Sequence, residues 1–234
     1  MNLRSDADGI IQESLAAILP DAAVEKALRG HTFGTGRIVL VAVGKAAWQM
    51  ARAASDELGS RIDHGIVITK YGHIKDDIPN ITCHEAGHPV PDANSFAATQ
   101  EALDLTERLT AEDTVLFLLS GGGSALFEKP LIPAEELKDL TEQLLASGAD
   151  IVAVNTLRKR MSAVKGGRFA EHCAPAQVFT IVLSDILGDP LDMIASGPAY
   201  PDTSTAEDAH AVVKKYGIRL STAATKLLDT PLPS

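Results

Sequence analysis

The chain contains few aromatic residues and little cysteine. Phe, Trp and Tyr make up 4% of its 234 residues, so the base-stacking surfaces of single-strand nucleic-acid binders are not expected. The net charge of −10 argues against non-specific binding to nucleic acid or to an anionic membrane. Cys83 and Cys173 lie far apart in the sequence and form no C-x-x-C motif. We therefore expect reduced cysteines in a cytoplasmic protein with neither nucleic acid nor membrane as a partner.

Long apolar runs and two common nucleotide-binding signatures are also missing. No apolar run approaches the ~18 residues of a membrane span, and the N-terminus shows no basic-then-apolar signal. The Walker A pattern G-x-x-x-x-G-K-[ST] does not occur, and Leu126 stands where the third glycine of G-x-G-x-x-G would lie. The sequence therefore supports neither a P-loop nucleotide hydrolase nor a Rossmann dehydrogenase.

Apolar segments alternate in a way that predicts an α/β fold. Apart from Arg37 and Thr114 at their starts, residues 37–43 and 114–119 are continuous apolar runs, typical of parallel strands buried on both faces. Further strands are predicted at 65–69, 80–84 and 177–183, and helices at 8–29, 45–58, 92–109, 133–146, 150–172 and 205–216. This alternation predicts a doubly wound, mostly parallel sheet.

The stretch from His84 to His88 matches H-E-x-x-H, the motif of zinc metalloproteases. That motif works on a helix, because histidines at i and i+4 then share one face. Gly87 and Pro89 disfavour a helix there, so we expect no zinc site at His84 and His88. We interpret 87–92 as a loop after a strand, in which His88 and Asp92 lie near a cleft. A zinc hydrolase remains as a competing hypothesis.

Ligands of open parallel sheets bind beyond the carboxyl ends of the strands. Lys45 follows the first apolar run, and we expect it in the first turn of a helix. A cation there opposes the helix macrodipole, which favours negative charge at that end by about 0.3–1 kcal/mol. A bound anion, held by Lys45 and free backbone N–H groups, would explain this placement. A solvent-facing lysine is the alternative.

A glycine-rich loop follows the second apolar run. Glycines allow backbone N–H groups to turn towards one point and to approach a ligand closely. The loop therefore predicts a cradle for phosphate or carboxylate, with a tight structural turn as the alternative. Its residues are Ser120, Gly121, Gly122, Gly123 and Ser124.

Four polar residues share one face of the helix predicted at 150–172. Asn155, Arg158, Ser162 and Lys165 fall within about an 80° arc at 100° per residue, and Gly-Gly-Arg168 follows them. A mostly cationic stripe in an acidic chain predicts an anion site. A solvated helix face is the alternative.

The loop at 184–204 contains several candidate ligands. Asp185 and Asp189 follow a predicted strand, and one or two carboxylates suffice to hold Mg²⁺. Alternatively they cap turns. Ser196 and Gly197 lie further along the same loop. An anion site with lysines, an arginine and nearby carboxylates suits phosphoryl transfer, where catalysis is mostly positioning and charge neutralisation.

Six segments between residues 40 and 205 together resemble a known family, the type II glycerate kinases (glycerate 2-kinases), and specifically their N-terminal MOFRL-associated domain. They occur in one order with little interruption. The segments are VAVGKAAWQMA, GIVITKYGH, EAGHPVPDANS, LLSGGGSALFEKP, NTLRKRMSAVKGGRFA and SDILGDPLDMIASGPAYPDTST.

This resemblance implies ATP-dependent phosphorylation of D-glycerate at its 2-hydroxyl, with Mg²⁺ or another divalent cation. It implies a Rossmann-like α/β/α sandwich over residues 1–228, followed at 229–234 by the start of a linker to a C-terminal MOFRL domain. The chain lacks that domain's Gly-Thr-Asp-Gly-type motif, so we expect little kinase activity from it alone. A non-catalytic module that binds an acidic metabolite or a nucleotide is the alternative. An oligomer is compatible with the sequence.

The resemblance also suggests roles for the candidate residues. The expected catalytic residues are Lys45, Arg158 and Lys165. The expected carboxylate- or phosphate-binding residues are those of the glycine-rich loop together with Asn155, Ser162 and Arg168. Asp185, Asp189, Ser196 and Gly197 are expected near the nucleotide or the metal ion.

Overall fold

The computed structural model describes residues 3–17, 19–184 and 186–230. Its centre is a five-stranded sheet in the order β3-β2-β1-β4-β5, and all four pairings between neighbours are parallel. The predicted doubly wound, parallel α/β sheet is confirmed. The strands are β1 (Ile38–Val43), β2 (Ile62–Lys70), β3 (Ile81–Ala86), β4 (Thr114–Ser120) and β5 (Gln177–Leu183).

Helices connect the strands and extend beyond them. Asp92 caps the helix after β3, because its carboxylate accepts the Ser95 N–H at 2.9 Å. Short 3₁₀ turns occur at Gly59–Arg61 and Ile194–Ser196. The helices are α1 (Leu3–Ala17), α2 (Asp21–Arg29), α3 (Ala47–Leu58), α4 (Ala93–Thr106), α5 (Gly123–Leu126), α6 (Ala134–Ala146), α7 (Ile151–Arg160), α8 (Arg168–His172), α9 (Ala206–Tyr216) and α10 (Thr222–Leu228).

The two central strands are buried on both faces, as their continuous apolar sequences predicted. Alternate residues of a strand point to opposite faces, so Val39 and Val41 pack towards α4 and α8, whereas Leu40 and Ala42 pack towards α2 and α3. A third apolar cluster lies outside the sheet and joins α6, α7, α9 and α10. The chain is therefore an α/β/α sandwich with an additional cluster of helices, of which α6 and α7 follow β4 and α9 and α10 follow β5.

Several predicted helix boundaries are wrong, and the helix predicted at 92–109 ends at Thr106. The helix predicted at 8–29 is two helices, and Pro20, which cannot continue a helix ladder, directly precedes the second. The helix predicted at 150–172 ends at Arg160. The next segment pairs instead with residues 129–131, since Leu131 N–H donates to Met161 O and Ala163 N–H to Lys129 O, each at 2.8 Å. The helix predicted from Lys45 begins at Ala47.

In the described part of the chain, no helix combines the length and apolar character needed to cross a bilayer.

Candidate active site

The turn after β1 is bonded to the turn after β4. These strands are neighbours, so their carboxyl ends lie side by side. Lys45 N–H donates to Gly121 O at 2.8 Å, and Ala46 N–H donates to Ser120 Oγ at 3.1 Å. Ser120 is buried and its hydroxyl donates to Val43 O at 3.3 Å. The backbone N–H groups that we expected to bind an anion beside Lys45 therefore hold the two turns together.

At Gly122, which follows β4, the side chains of two residues that follow other strands come close together. Its φ of +92° is a left-handed conformation that favours glycine. A Cβ at this position would lie 2.9 Å from His88 Cδ2 and 3.2 Å from Lys45 Cγ. Lys45 and His88 are both exposed. The glycine therefore allows a lysine and a histidine to approach each other at the carboxyl edge of the sheet.

Gly123 makes a second close approach, to the loop after β5. A Cβ at Gly123 would lie 2.6 Å from Ala195 Cβ. Ala195, Ser196 and Gly197 have consecutive φ values of +51°, +64° and +63°. The left-handed region costs a non-glycine residue about 1–3 kcal/mol and persists only where surrounding contacts impose it. This loop is therefore held in a strained conformation against the glycine-rich loop.

Three of the predicted site residues form one hydrogen-bonded chain. The buried Ser196 hydroxyl donates to Asn155 Oδ1 at 3.0 Å and lies 3.2 Å from Ser124 Oγ. Asn155 is buried, and its Nδ2 lies 3.3 Å from Met193 Sδ. The structure therefore brings Asn155, Ser196 and Ser124 together, and they connect α7, the strained loop and the glycine-rich loop.

Two cavities adjoin this meeting point. The first, of about 90 Å³, is lined by His88, Gly122, Ser124, Glu128 and Arg158, among others. The second, of about 210 Å³, is lined by Lys45 together with Gly72, His73 and Lys75. The predicted residues Lys45, His88, Ser124 and Arg158 thus face space that a small ligand can enter.

Lys165 lies away from this space, although the sequence placed it with Arg158. It is fully buried, and its ammonium donates to Phe127 O at 2.7 Å and pairs with Glu128 Oε2 at 3.1 Å. Burial lowers the pKa of Lys165, and the contact with Glu128 partly offsets that effect. The shared helical face that predicted a joint role for Arg158 and Lys165 does not exist, because α7 ends at Arg160.

Ser162 and Arg168 also make their contacts inside the protein. Ser162 is fully buried. The Arg168 guanidinium donates to Lys159 O at 2.6 Å and to Ser162 O at 2.7 Å. Burial lowers the pKa of Arg168. In this arrangement its donors stabilise the turn after α7 instead of facing a ligand.

Two buried carboxylates, Glu128 and Asp202, were not predicted from the sequence. Glu128 is 1% exposed and follows the apolar residues 125–127, a context that signals an enclosed charge. Asp202 pairs with the buried Lys159 at 3.1 Å and holds the loop after β5 against α7. Because charged groups are rarely buried without a partner, both carboxylates contribute to the geometry of the site.

The two aspartates that were predicted to bind a metal ion are Asp185 and Asp189. Asp185 lies outside the described residues. Asp189 is exposed, with a φ of +48°, and its carboxylate makes no hydrogen bond to any described residue. Asp189 is therefore available to an incoming ligand.

The H-E-x-x-H stretch is not helical. His84 and Glu85 belong to β3, which confirms that the residues before Gly87 form a strand. His84 Nε2 lies 2.8 Å from Glu101, and Glu85 accepts the N–H groups of residues 73 and 74. His84 and His88 therefore do not share a helical face.

Asp92 lies at the end of the loop after β3 and is a structural cap. Besides the hydrogen bond from the Ser95 N–H, its carboxylate accepts one from the Tyr71 hydroxyl at 2.7 Å. Burial raises the pKa of its carboxyl, but the hydrogen bonds from Tyr71, Ser95 and Gly87 outweigh it, and the pKa is lowered overall.

A family model described as "Domain of unknown function (DUF4147)" matches residues 6–229. The chain belongs to this family. This DUF4147 protein is 52% identical over 234 residues to a D-glycerate 2-kinase from Thermotoga maritima, covering 98% of the chain and 56% of the relative. It is 40% identical to a glycerate 2-kinase from Pyrococcus horikoshii, covering 93% of the chain and 51% of the relative.

A solved structure shows the same fold. The crystal structure of the glycerate kinase from Thermotoga maritima superposes with a TM-score of 0.92 at 51% sequence identity, over 99% of this chain and 56% of that one. The chain thus spans about half the length of the relatives that it matches.

Proposed function

We propose that this chain supplies the N-terminal, MOFRL-associated domain of an ATP-dependent D-glycerate 2-kinase in the cytoplasm. In this proposal residues 1–228 form the domain and 229–234 begin the linker to a C-terminal MOFRL domain. The observation that carries the proposal is the meeting of Lys45 and His88 over Gly122, beside the cavity that Arg158 lines. The high identity to a D-glycerate 2-kinase supports it.

Phosphoryl transfer requires reactants to be positioned and negative charge to be neutralised. Lys45 is an exposed cation at the point where the strand ends converge, and in the proposal it contacts the transferred phosphoryl group. Arg158 holds the substrate carboxylate, for which a planar guanidinium is well suited. Ser124 and the backbone of Gly122 and Gly123 line the reacting region, while Ser162, Lys165 and Arg168 support these groups from inside.

The proposal includes ATP as the phosphoryl donor and Mg²⁺ as its counterion. When bound, the metal ion neutralises phosphate charge. Mg²⁺ keeps several waters and needs only one or two carboxylates, and the exposed carboxylate of Asp189 fits that requirement. Asp189, with Asp185 before it in the loop, would hold the ion. Ser196 and Gly197 lie further along the same loop.

A chimeric enzyme tests the proposal. The matching part of the Thermotoga maritima D-glycerate 2-kinase is replaced by this chain, and ADP release is followed with D-glycerate and Mg-ATP. We expect turnover that depends on D-glycerate, and a loss of at least ~100-fold in Lys45→Ala, since phosphate-clamp residues contribute on the order of 10²–10³-fold. Lys138→Ala, which removes an exposed lysine on α6, is the matched control. A folded chimera without turnover would contradict the proposal.

A further inference from the structure

The cavity beside the glycine-rich loop contains an acceptor and a cation that the protein itself leaves available. Glu128 is 1% exposed and lines this cavity. Its Oε2 pairs with Lys165, but its Oε1 has no hydrogen-bond partner among the described residues. Native proteins rarely leave a buried acceptor unsatisfied. A group that enters the cavity and donates a hydrogen bond would satisfy Oε1.

Arg158 supplies the complementary charge. It lines the same cavity, and its guanidinium makes no hydrogen bond to any described residue. Burial lowers the pKa of its guanidinium, and the nearby charge of Glu128 offsets part of that effect. A guanidinium carries only donors, arranged to match a carboxylate. The cavity thus offers donors for a carboxylate and, separately, an acceptor for a hydroxyl group.

The size of the cavity restricts its occupant. At about 90 Å³ it is much smaller than the roughly 300–1,000 Å³ of pockets that enclose drug-sized ligands. It therefore suits a small metabolite and not a nucleotide. A second carboxylate on that metabolite would meet the Glu128 carboxylate, and like charges at close range repel. The fitting class is a small monocarboxylate that also carries a hydroxyl group.

We infer that Glu128 selects the substrate by accepting a hydrogen bond from its hydroxyl group, while Arg158 binds its carboxylate. This inference rests on the proposed function and adds to it the residue that distinguishes a hydroxy acid from a deoxy acid. Sites built to hydrogen-bond a hydroxyl group discriminate strongly against analogues without it, by up to about 10⁴–10⁵-fold.

Binding of four small acids to the chain tests the inference. D-glycerate, D-lactate, 3-hydroxypropanoate and propanoate are titrated into the protein by calorimetry. We expect propanoate, which has no hydroxyl group, to bind at least ~10-fold more weakly than D-glycerate. D-lactate keeps only the 2-hydroxyl group of glycerate, and 3-hydroxypropanoate keeps only the 3-hydroxyl group. Their affinities therefore show which hydroxyl group donates to Glu128. Equal affinity for D-glycerate and propanoate, or no binding of D-glycerate to the chain, would overturn the inference.

A pair of double variants separates selection from folding. Glu128→Leu combined with Lys165→Met removes both members of the buried pair, a change that proteins often tolerate. We expect the ratio of the D-glycerate and propanoate affinities to fall to within ~3-fold. Asp113→Leu with Arg37→Met removes a charge pair of the same 3.1 Å separation at the opposite end of the sheet and should keep the ratio. A ratio unchanged in the first double variant would contradict the role of Glu128.

Arg158→Gln supplies an independent readout. It should weaken all four acids by at least ~10-fold, because each carries the carboxylate, and should preserve their order. Unchanged affinities would overturn the role of Arg158. The chimera separates this inference from the proposed function. An active chimera combined with unselective binding overturns the inference alone, whereas a folded but inactive chimera overturns the proposed function.

Discussion

Arg158 and Lys165 are cations separated by seven positions, yet the fold uses them in opposite ways. Arg158 lines a cavity, and its guanidinium makes no hydrogen bond to a described residue. Lys165 is fully buried, and its ammonium group donates a hydrogen bond to a carbonyl oxygen and pairs with a carboxylate. Whether a cation is available to a ligand depends on whether the chain has already satisfied its donors. Spacing along the sequence does not give that information.

Stability should show the largest difference between these two cations. Lys165→Met leaves the buried Glu128 without its partner, and breaking a buried pair in this way costs about 3–5 kcal/mol. Arg158→Met breaks no side-chain hydrogen bond to a described residue and should cost less than about 1 kcal/mol. Urea unfolding followed by circular dichroism measures both. Equal losses would show that the two cations do not differ in this way.

The glycine-rich loop allows a comparison of function with stability. Gly122 and Gly148 both have positive φ, but only Gly122 has neighbours that an added Cβ would meet. Alanine at either position should cost about 1–2 kcal/mol, because both adopt a left-handed backbone. His88 and Lys45 are exposed and can move aside, so the stability losses should be similar. Activity of the chimera should fall at least ~10-fold only in Gly122→Ala, because a small displacement of catalytic groups is costly. A similar fall in Gly148→Ala would contradict this.

The hydrogen-bonded chain behind the cavity should have a moderate effect. Ser196→Ala removes the bonds to Asn155 and Ser124 inside the protein, and an unsatisfied buried group costs about 1–3 kcal/mol. Ser147→Ala removes one hydroxyl bond to Leu144 O near the surface and should cost no more than about 0.5–1 kcal/mol. Thermal and urea unfolding of both variants measure the difference. If Ser147→Ala lost as much stability as Ser196→Ala, burial of the hydrogen bonds of Ser196 would be shown to be unimportant.

Arg37, at the opposite end of the sheet, is a cation that remains accessible to solvent although it pairs with a carboxylate. It is half-exposed, and its hydrogen bond to the buried Asp113, helped by the Thr110 N–H, holds the pKa of that carboxyl well below its usual range. A lowered carboxyl pKa contributes stability above the unfolded value near pH 4, and that contribution is lost as the pH falls towards the folded value. Wild type and Asp113→Asn should therefore converge in stability between about pH 4 and pH 2. A gap that stays constant over this range would contradict this role of Asp113.

The sequence predicted the sheet better than it predicted the site. Continuous apolar runs at 37–43 and 114–119 identified the central strands, because burial on both faces leaves no polar alternation. The end of α7 was missed, since the pairing of residues 161–163 with 129–131 is a contact between distant segments. Glu128 was missed for the same reason, because its partner Lys165 lies far along the chain. Lys45 and Gly122 follow the neighbouring strands β1 and β4, so their closeness follows from the topology. His88 follows β3, which is separated from β1 by β2, and it reaches them through its own loop.

The most direct test is a crystal structure of this chain soaked with D-glycerate and Mg-ATP. We predict D-glycerate in the cavity beside the glycine-rich loop, with its carboxylate on Arg158 and a hydroxyl group within hydrogen-bond distance of Glu128 Oε1. We predict the nucleotide phosphates near Lys45. Ligands that contact neither Lys45 nor the glycine-rich loop would contradict the assignment of the site.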